Sequence, residues 1–326
     1  MITLWVIITL NFLLPRIMPG DPFLHLSAED GEDVANFSEA QKAYYEKQYG
    51  MDRPLWVQYS RYLMQLLRGD LGYSIYYNEN VATILLRRLP WTFALVVISM
   101  GVGAVLGSLL GGISAYYRQG WVDRTLFFGM MAWAEMPAFL LGLLLLFLFA
   151  AHFDLFPLSG AMTPFTQYPN LWAQLVDLIR HAFLPAVTLT LAIVPALYLL
   201  SRSSMVTVMT KDYLRTARAK GLRPVRIFFR HILRNALLPM VTLIFMRLGN
   251  LLGGAILVEN VFKYPGLGML MHEAVIVHDY PMVQGIFLLM TLSVLFVNFC
   301  VDWGYGWLDP RIRSTKFSLQ SRSVPS

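Results

Sequence analysis

The residue types that most often carry catalysis or bind metals are few and scattered in this 326-residue chain. None of its six histidines lies three or four residues from another, and they stand at His25, His152, His181, His231, His272 and His278. The single cysteine, Cys300, excludes an intrachain disulfide and a four-cysteine zinc site. The chain also lacks the sequence G-x-x-x-x-G-K-S/T, which cradles nucleotide phosphates. We therefore predict no catalytic residue, no metal ligand and no cofactor bound by this chain itself.

Two ionisable residues, Glu135 and Arg247, lie deep inside apolar stretches. A charge at the centre of a bilayer costs at least ~2.5–3.5 kcal/mol, so such residues are functional candidates. Each residue lies about ten residues from the end of its apolar stretch that is predicted below to be cytoplasmic. At a rise of 1.5 Å per residue, both therefore lie roughly 15 Å deep. We hypothesise that they face the interior of a helix bundle, as a salt bridge or as lining of a path across the membrane. The alternative is that one of them reaches the interface or faces a partner subunit; a proton relay would need more such groups.

Composition places these stretches in a membrane. Hydrophobic residues make up 56% of the chain and charged residues 14%, whereas an average soluble domain carries roughly 25% charged residues. A bilayer core of about 30 Å needs roughly 20 mainly apolar helical residues. Six stretches are predicted to span it: Met1–Met18, Pro90–Tyr117, Leu126–Ala151, Ala182–Leu200, Ala236–Val258 and Met282–Val301. The sequence therefore predicts an all-α integral membrane protein with six transmembrane helices.

The distribution of lysine and arginine predicts the orientation of these spans. The loop Ser201–Asn235 contains nine basic residues and one acidic residue, whereas the stretch Pro19–Leu89 contains seven basic and ten acidic residues. The loop Arg118–Thr125 and the tail from Asp302 also carry more basic than acidic residues. Because cytoplasmic loops are enriched in lysine and arginine, we expect both termini to be cytoplasmic.

The predicted organisation follows from the spans and their orientation. The long stretch after the first span contains helix-like patterning around Ser38–Tyr49. The predicted parts are a first transmembrane helix over residues 1–18, an extracytoplasmic loop or subdomain over 19–89, a five-helix core over 90–313 with a cytoplasmic loop at 201–235, and a cytoplasmic tail over 314–326.

Glycines in two of the spans are spaced for close helix packing. Gly103, Gly107 and Gly111 in the second span, and Gly249 and Gly253 in the fifth, follow the small-xxx-small pattern. We expect tight packing within this subunit, and packing against a second membrane subunit is the alternative.

The loop between the fourth and fifth spans is predicted to form two helices. Asp212 is a natural N-cap or first-turn residue, and Gly221 is suited to the C′ position that ends a helix. A second helix is predicted from Pro224, since proline is tolerated in a first turn. The second helix carries an apolar stripe, formed by Val225, Phe228, Phe229 and Ile232. The alternative is a basic loop that only sets topology and contacts anionic lipid.

Motifs along most of the chain resemble those of one transporter family. They are P-G-D-P at Pro19–Pro22, G-D-L-G-Y-S at Gly69–Ser74, R-L-P-W-T at Arg88–Thr92, H-I-L-R-N-A-L-L-P at His231–Pro239, V-E-N-V-F-K-Y-P-G-L-G at Val258–Gly268, D-Y-P at Asp279–Pro281 and D-P-R-I-R at Asp309–Arg313. With the loop helix they resemble the ABC importer permeases of the dipeptide, oligopeptide and nickel branch. The resemblance covers roughly residues 15–313 and implies the type I ABC importer permease fold.

The resemblance also assigns a role to the first loop helix. It implies that Lys211–Gly221 is a coupling helix, which docks on a cytoplasmic ATPase and passes ATP-driven closure of the ATPase dimer into the membrane helices. The implied docking residues are Lys211, Asp212, Tyr213, Arg215, Thr216, Ala217, Arg218, Ala219, Lys220 and Gly221. The family's Glu-Ala-Ala pattern is replaced by Arg-Thr-Ala at residues 215–217, so its glutamate is absent. The basic side chains would then contact acidic groups on the ATPase.

The resemblance implies that this chain is one of two nonidentical permease subunits in a bacterial or archaeal cell (inner) membrane. Its expected partners are a homologous permease, two ATPase subunits that use ATP and Mg, an extracytoplasmic substrate-binding protein and the lipid bilayer, with no nucleic acid. This chain would be the transport subunit and not the hydrolase. Peptides are the favoured substrate because no metal cage is visible in the sequence.

Three alternatives to this interpretation stay open. The first is a nickel-chelate importer permease of the same family. The second is a secondary transporter, which would show inverted repeats and more ionisable groups at the membrane midplane. The third is a channel subunit, which would function without an ATPase.

Overall fold

The computed structural model describes residues 2–17, 53–233, 235–236, 244, 247 and 253–308. These residues contain no β-strand, and one isolated antiparallel bridge joins Tyr73 to Asn80. Their α-helices are α1 (Ile2–Ile17), α2 (Leu55–Leu67), α3 (Val81–Tyr116), α4 (Trp121–Ala134), α5 (Ala138–Leu145), α6 (Leu171–Met209), α7 (Asp212–Ala219), α8 (Pro224–Ile227), α9 (Gly253–Phe262), α10 (Leu267–Ile276) and α11 (Tyr280–Leu308). Two π-helical segments, Leu146–His152 and Phe228–Leu233, continue α5 and α8.

Three of the described helices, α3, α6 and α11, are long and apolar enough to cross a membrane, and α4 with α5 adds a fourth if that bent pair is one span. The helix α1 covers the first predicted span with 16 residues. Most of the fifth predicted span, Ala236–Val258, lies outside the described residues, as do the helix predicted around Ser38–Tyr49, the motifs at 19–22 and 309–313, and the tail. The predicted count of six is therefore tested only in part.

Two helices extend well beyond their predicted spans. The helix α3 begins nine residues before Pro90 and continues through that proline, and α6 begins at Leu171 rather than at Ala182. The start of α6 is fixed by Asn170, whose side-chain oxygen accepts a hydrogen bond of 2.8 Å from the backbone nitrogen of Ala173. This N-cap satisfies one of the unpaired donors of the first turn. At 36 and 39 residues, both helices exceed what a bilayer core requires.

The third predicted span, Leu126–Ala151, is a bent pair of helices and not one continuous helix. The helix α4 ends at Ala134, α5 begins at Ala138, and the two are bent by 97° at this break. Pro137 adopts an extended conformation with ψ of 139°, has no N–H to continue the helix and disfavours helical geometry in the residue before it. The interruption therefore follows from the proline.

The chain divides into two compact units, each described separately below. The first comprises residues 1–93 and 263–292. Its core is built by α3, α10 and α11 from Val81, Ile84, Leu85, Leu267, Leu270, Ala274, Met282, Val283 and Ile286. The helix α1 joins α2 through Phe12, whose ring centroid lies 5.1 Å from that of Tyr59 and 5.7 Å from that of Tyr62.

A buried carboxylate ties the loop after α2 to the start of α11. Asp279 accepts a hydrogen bond from the hydroxyl of Ser74, and its oxygens also accept from the backbone nitrogens of Tyr76 and Met282, each at 3.2 Å. Burial raises the pKa of the Asp279 carboxyl above its ordinary value, although these hydrogen bonds act in the opposite direction. Hydrogen bonds to Asp279 therefore join the sequence motifs at Gly69–Ser74 and Asp279–Pro281.

The second unit comprises residues 94–262 and 293–326, and glycines bring two of its helices together. A Cβ atom added to α3 would lie 2.7 Å from Ile193 Cγ2 at Gly103, 2.6 Å from Leu197 Cβ at Gly107 and 2.5 Å from Ser201 Cβ at Gly111. All three neighbours belong to α6. Close packing within the subunit is thus confirmed for these glycines. Gly253 has no heavy atom of the described residues within 4 Å of such a Cβ, and Gly249 lies outside those residues.

Candidate coupling site

The predicted coupling helix forms over Asp212–Ala219 as α7. It ends in a left-handed turn at Gly221, where φ is +72°. The backbone nitrogen of Leu222 then donates to the carbonyl of Ala217 at 3.4 Å, which is the longer-range hydrogen bond of a Schellman cap. The local prediction from the aspartate and the glycine was therefore correct.

The helix α7 has two faces of opposite character. Leu214 and Ala217 are buried, with 1% and 7% of their surface exposed, whereas the side chains of Asp212 and Arg215 are 97% and 86% exposed. The other exposed residues of the predicted docking set are Lys211, Tyr213, Thr216, Ala219, Lys220 and Gly221, and the side chain of Arg218 lies outside the described part. Asp212 Oδ1 and Arg215 Nη1 are 4.0 Å apart, an exposed contact that contributes little to stability. The exposed face is therefore available to a partner.

The buried face of α7 belongs to a group of apolar residues that we call the coupling cluster: Ala115, Met205, Leu214, Ala217, Ile227, Ile232 and Ala236. Ala115 comes from the end of α3 and Met205 from the end of α6. Burying a leucine side chain contributes roughly 1.5–3 kcal/mol, so Leu214 anchors α7 firmly. The coupling cluster therefore joins α7 to two long apolar helices.

Tyr213 forms a side-chain hydrogen bond that the sequence did not indicate. Its hydroxyl accepts a hydrogen bond of 3.2 Å from Asn235 Nδ2, which also donates to the carbonyl of His231 at 2.6 Å. Both of these partners belong to the motif at His231–Pro239. The motif thus contributes to holding α7 in place.

An ion pair between a buried aspartate and a partly exposed arginine lies next to the coupling cluster, and the sequence did not indicate it. Arg202 of α6 contacts Asp123 of α4 through two hydrogen bonds, Nε to Oδ1 at 2.7 Å and Nη2 to Oδ2 at 2.8 Å. The hydroxyl of Ser114 on α3 donates to Asp123 and lies 2.7 Å from the hydroxyl of Tyr198. The sequence analysis counted Asp123 and Arg202 only as loop charges, because residues 79 positions apart carry no local signal of pairing. The network fastens α3, α4 and α6 together.

The hypothesis that Glu135 pairs with Arg247 stays a prediction. Glu135 follows the last residue of α4 and is exposed, and Arg247 is an exposed helical residue. No ion pair joins the two among the described residues, and most neighbours of Arg247 in sequence lie outside them. Because the third span is broken at Glu135, the depth estimate based on a continuous helix does not hold for this residue.

Within the described ranges, no group of three histidine, cysteine, aspartate or glutamate residues is arranged to hold a metal ion.

Comparison with known proteins identifies the family. Residues 103–314 match the family described as binding-protein-dependent transport system inner membrane component. The chain is 37% identical over 311 residues to a glutathione transport system permease protein of Pectobacterium atrosepticum, covering 95% of each chain. It is 36% identical over 317 residues to a di/tripeptide transport system permease protein of Pseudomonas aeruginosa, covering 93% of each. A dipeptide transport system permease protein of Escherichia coli K12 is 35% identical over 323 residues, with 94% of each chain covered.

The fold resembles that of a solved importer. The MetNI methionine ABC transporter, in an inward-facing conformation, matches with a TM-score of 0.56 at 18% identity, over 70% of this chain and 97% of the other. Together with the family match and the full-length relatives, this shows that the chain belongs to the binding-protein-dependent transport system inner membrane component family and is a multi-pass permease subunit of an ABC importer with the type I importer fold.

Proposed function

We propose that this permease forms half of the translocation path for peptides in an ATP-driven importer, and that a cytoplasmic ATPase drives it through α7. The observation that carries the proposal is the two-faced character of α7. Its outer face exposes Arg215 and other polar side chains, and its inner face is held in the coupling cluster. A surface of this kind can receive a partner on one side and transmit displacement on the other.

The packing of α7 indicates which helices would receive its displacement. When the ATPase moves α7, Leu214 presses on the ends of α3 and α6, because Ala115 and Met205 lie in the same cluster. Protein interiors are close-packed and transmit such strain rather than absorbing it. ATP and Mg are used in the partner subunits, since this chain carries no phosphate-binding loop.

The rest of the assembly follows the family. A homologous permease supplies the second half of the path, and a substrate-binding protein delivers substrate on the extracytoplasmic side. Both termini and α7 are cytoplasmic in this proposal, as the excess of basic residues in Ser201–Asn235 supports.

The proposed substrate class rests on the relatives. The three named above are called glutathione, di/tripeptide and dipeptide permeases. We assign peptides to this chain on that basis, with selection among them made by the binding protein.

Copurification tests the docking surface. Arg215→Glu reverses a charge on the exposed face of α7 and should release the ATPase subunits from the affinity-tagged permease in mild detergent. Arg124→Glu, a matched reversal at an exposed arginine of α4, should retain them. Equal recovery of the ATPase with both variants and with the unmodified chain would refute docking at α7.

Uptake tests the substrate. The complete importer in proteoliposomes, with its binding protein outside and ATP enclosed, should accumulate a radiolabelled dipeptide. ATP-dependent uptake of a nickel chelate without uptake of peptide would overturn the peptide assignment while leaving the coupling mechanism intact.

A further inference from the structure

A basic cavity of about 420 Å³ opens in the unit formed by residues 1–93 and 263–292. The carboxyl end of α1, the helix α2, the loop after it and the start of α11 line this cavity. Its charged residues are Arg16, Arg53, Arg61 and Asp70. Within the described residues, no carboxylate lies within 4.0 Å of any of the three guanidinium groups. The cavity therefore carries an excess of positive charge that the described chain does not neutralise.

One of these arginines is fixed in position. Arg16 Nε donates to Gln58 Oε1 at 3.1 Å, and Nη1 donates to the carbonyl of Phe12 at 2.7 Å. Its guanidinium carbon lies 3.6 Å from the centroid of the Phe12 ring. A half-buried cation is costly without a counter-charge, and the described residues supply no carboxylate to Arg16, so a guanidinium held in this way is prepared for an anion. Planar guanidinium groups bind phosphate and carboxylate oxygens through paired hydrogen bonds.

The wall of the cavity contains a further unused donor. Gln284 of α11 is 9% exposed, and its side-chain nitrogen Nε2 is buried with no hydrogen-bond acceptor in the described structure. Buried polar atoms are nearly always paired. The amide must rotate to bring this donor into the cavity, where an anionic ligand would accept its hydrogen bond and a cation would be repelled by the arginines.

The outer face of α2 indicates where that anion comes from. Trp56 and Leu67 are 73% and 89% exposed, and Met64 lies on the same exposed face. An exposed apolar face beside arginines is typical of a helix that lies in the interface of a bilayer. The helix α2 packs on the apolar helix α1 through Phe12, which holds it close to the membrane. A water-soluble ligand would account for the arginines but not for this apolar face.

We propose that this cavity binds the phosphate of an anionic phospholipid. Arg16, Arg53 and Arg61 contact the headgroup, and α2 lies in the headgroup layer with Trp56, Met64 and Leu67 against the acyl chains. The site does not depend on which substrate the importer carries.

Lipid titration of the purified, delipidated importer, followed by native mass spectrometry, tests the site. Phosphatidylglycerol should bind more tightly than phosphatidylcholine, and its binding should weaken as salt is added, because salt screens the headgroup charge. Each arginine near a membrane surface contributes roughly a fivefold factor in affinity. Arg53→Gln with Arg61→Gln should therefore lower phosphatidylglycerol affinity by about 25-fold.

Arg68→Gln is the matched control, because Arg68 is an exposed arginine at the end of α2 that does not line the cavity. It should change the affinity far less than the double variant. Arg53 lies before α2, so the single variant Arg53→Gln leaves the helix sequence unchanged. It tests the site if the double variant does not fold. Equal phosphatidylglycerol affinity in the wild type and the Arg53 variant would overturn the proposal. If sn-glycerol 3-phosphate bound as tightly as phosphatidylglycerol, the lipid assignment would be overturned. The assignment would also be overturned if the arginine variants lost affinity for the substrate-binding protein while their affinity for phosphatidylglycerol stayed unchanged.

Discussion

Replacing Gly111 with alanine tests the contact between α3 and α6 most directly. The new Cβ would lie 2.5 Å from Ser201 Cβ, 2.7 Å from Ser201 Oγ and 2.8 Å from the backbone nitrogen of Arg202. Rotation of the serine side chain relieves only the contact with Oγ, so the two helices must separate. Bringing the closest pair out to the ordinary contact distance of 3.4 Å requires a shift of about 0.9 Å. Overpacking of this kind costs roughly 1–3 kcal/mol.

Gly101 provides a matched control on the same helix. Among the residues that the structure describes, no heavy atom lies within 4 Å of a Cβ added there. Both substitutions gain the same helical preference of alanine over glycine, about 0.5–1 kcal/mol, and this gain cancels when the two variants are compared. We therefore expect Gly101→Ala to be as stable as the wild type or slightly more stable, and Gly111→Ala to be less stable than Gly101→Ala by about 1–3 kcal/mol.

The assay is unfolding of the detergent-purified permease by sodium dodecyl sulfate, followed by circular dichroism. Because the two variants differ only in which residue gains a methyl group, the comparison is independent of the absolute free energy of unfolding. Equal midpoints for Gly101→Ala and Gly111→Ala would contradict the close approach of α3 and α6.

Three further predictions concern coupling and topology. Arg202→Gln removes the cation that pairs with the buried Asp123 carboxylate and should lower the free energy of unfolding by about 1.5–3 kcal/mol, the usual contribution of hydrogen bonds to a charged group. Asp123→Asn in the same chain should recover part of the loss, and an additive double-mutant cycle would contradict the pairing. Leu214→Ala opens a cavity under α7 at a cost of about 2–5 kcal/mol, so ATP hydrolysis by the assembled importer should persist while transport per ATP falls; unchanged transport per ATP would contradict transmission through this side chain. In a variant whose native cysteine is replaced by serine, Phe165→Cys should react with an impermeant maleimide from outside the cell and Lys211→Cys only after permeabilisation, and the reverse pattern would invert the predicted topology.

Features with a local cause could be predicted from the sequence. The start of α7 at Asp212 and its end at Gly221 follow from preferences that act within a few residues. The glycines at Gly103, Gly107 and Gly111 predicted a close helix contact from their spacing alone. The sequence did not reveal which helix would meet them, because α6 is far along the chain.

The prolines show why helix interruptions could not be predicted from local preference. Pro137 interrupts the third span, whereas Pro90, Pro185 and Pro195 lie inside continuous helices. A proline removes one hydrogen bond and disfavours the preceding helical residue in every case. Whether the helix survives depends on how neighbouring helices compensate, which is information about the tertiary structure.

The contacts next to α7 indicate how the movement proposed for this helix would reach α3 and α6. Three kinds of contact fall within Gly111–Ala115 on α3 and Ser201–Met205 on α6, about 6 Å of each helix. They are the shortest of the glycine contacts between these two helices, the hydrogen bonds of Ser114 and Arg202 to Asp123, and two members of the coupling cluster. Steric fit, an ion pair and apolar packing therefore act on the same short segment, so we expect these ends of α3 and α6 to move together. α4 and α5 are bent by 97° at the break over Glu135–Pro137, and we expect further bending there because Pro137 cannot continue the helical hydrogen bonding. Displacement of α7 by an ATPase would then move the α3–α6 pair as a unit and be taken up at this break, rather than being dissipated at the docking surface.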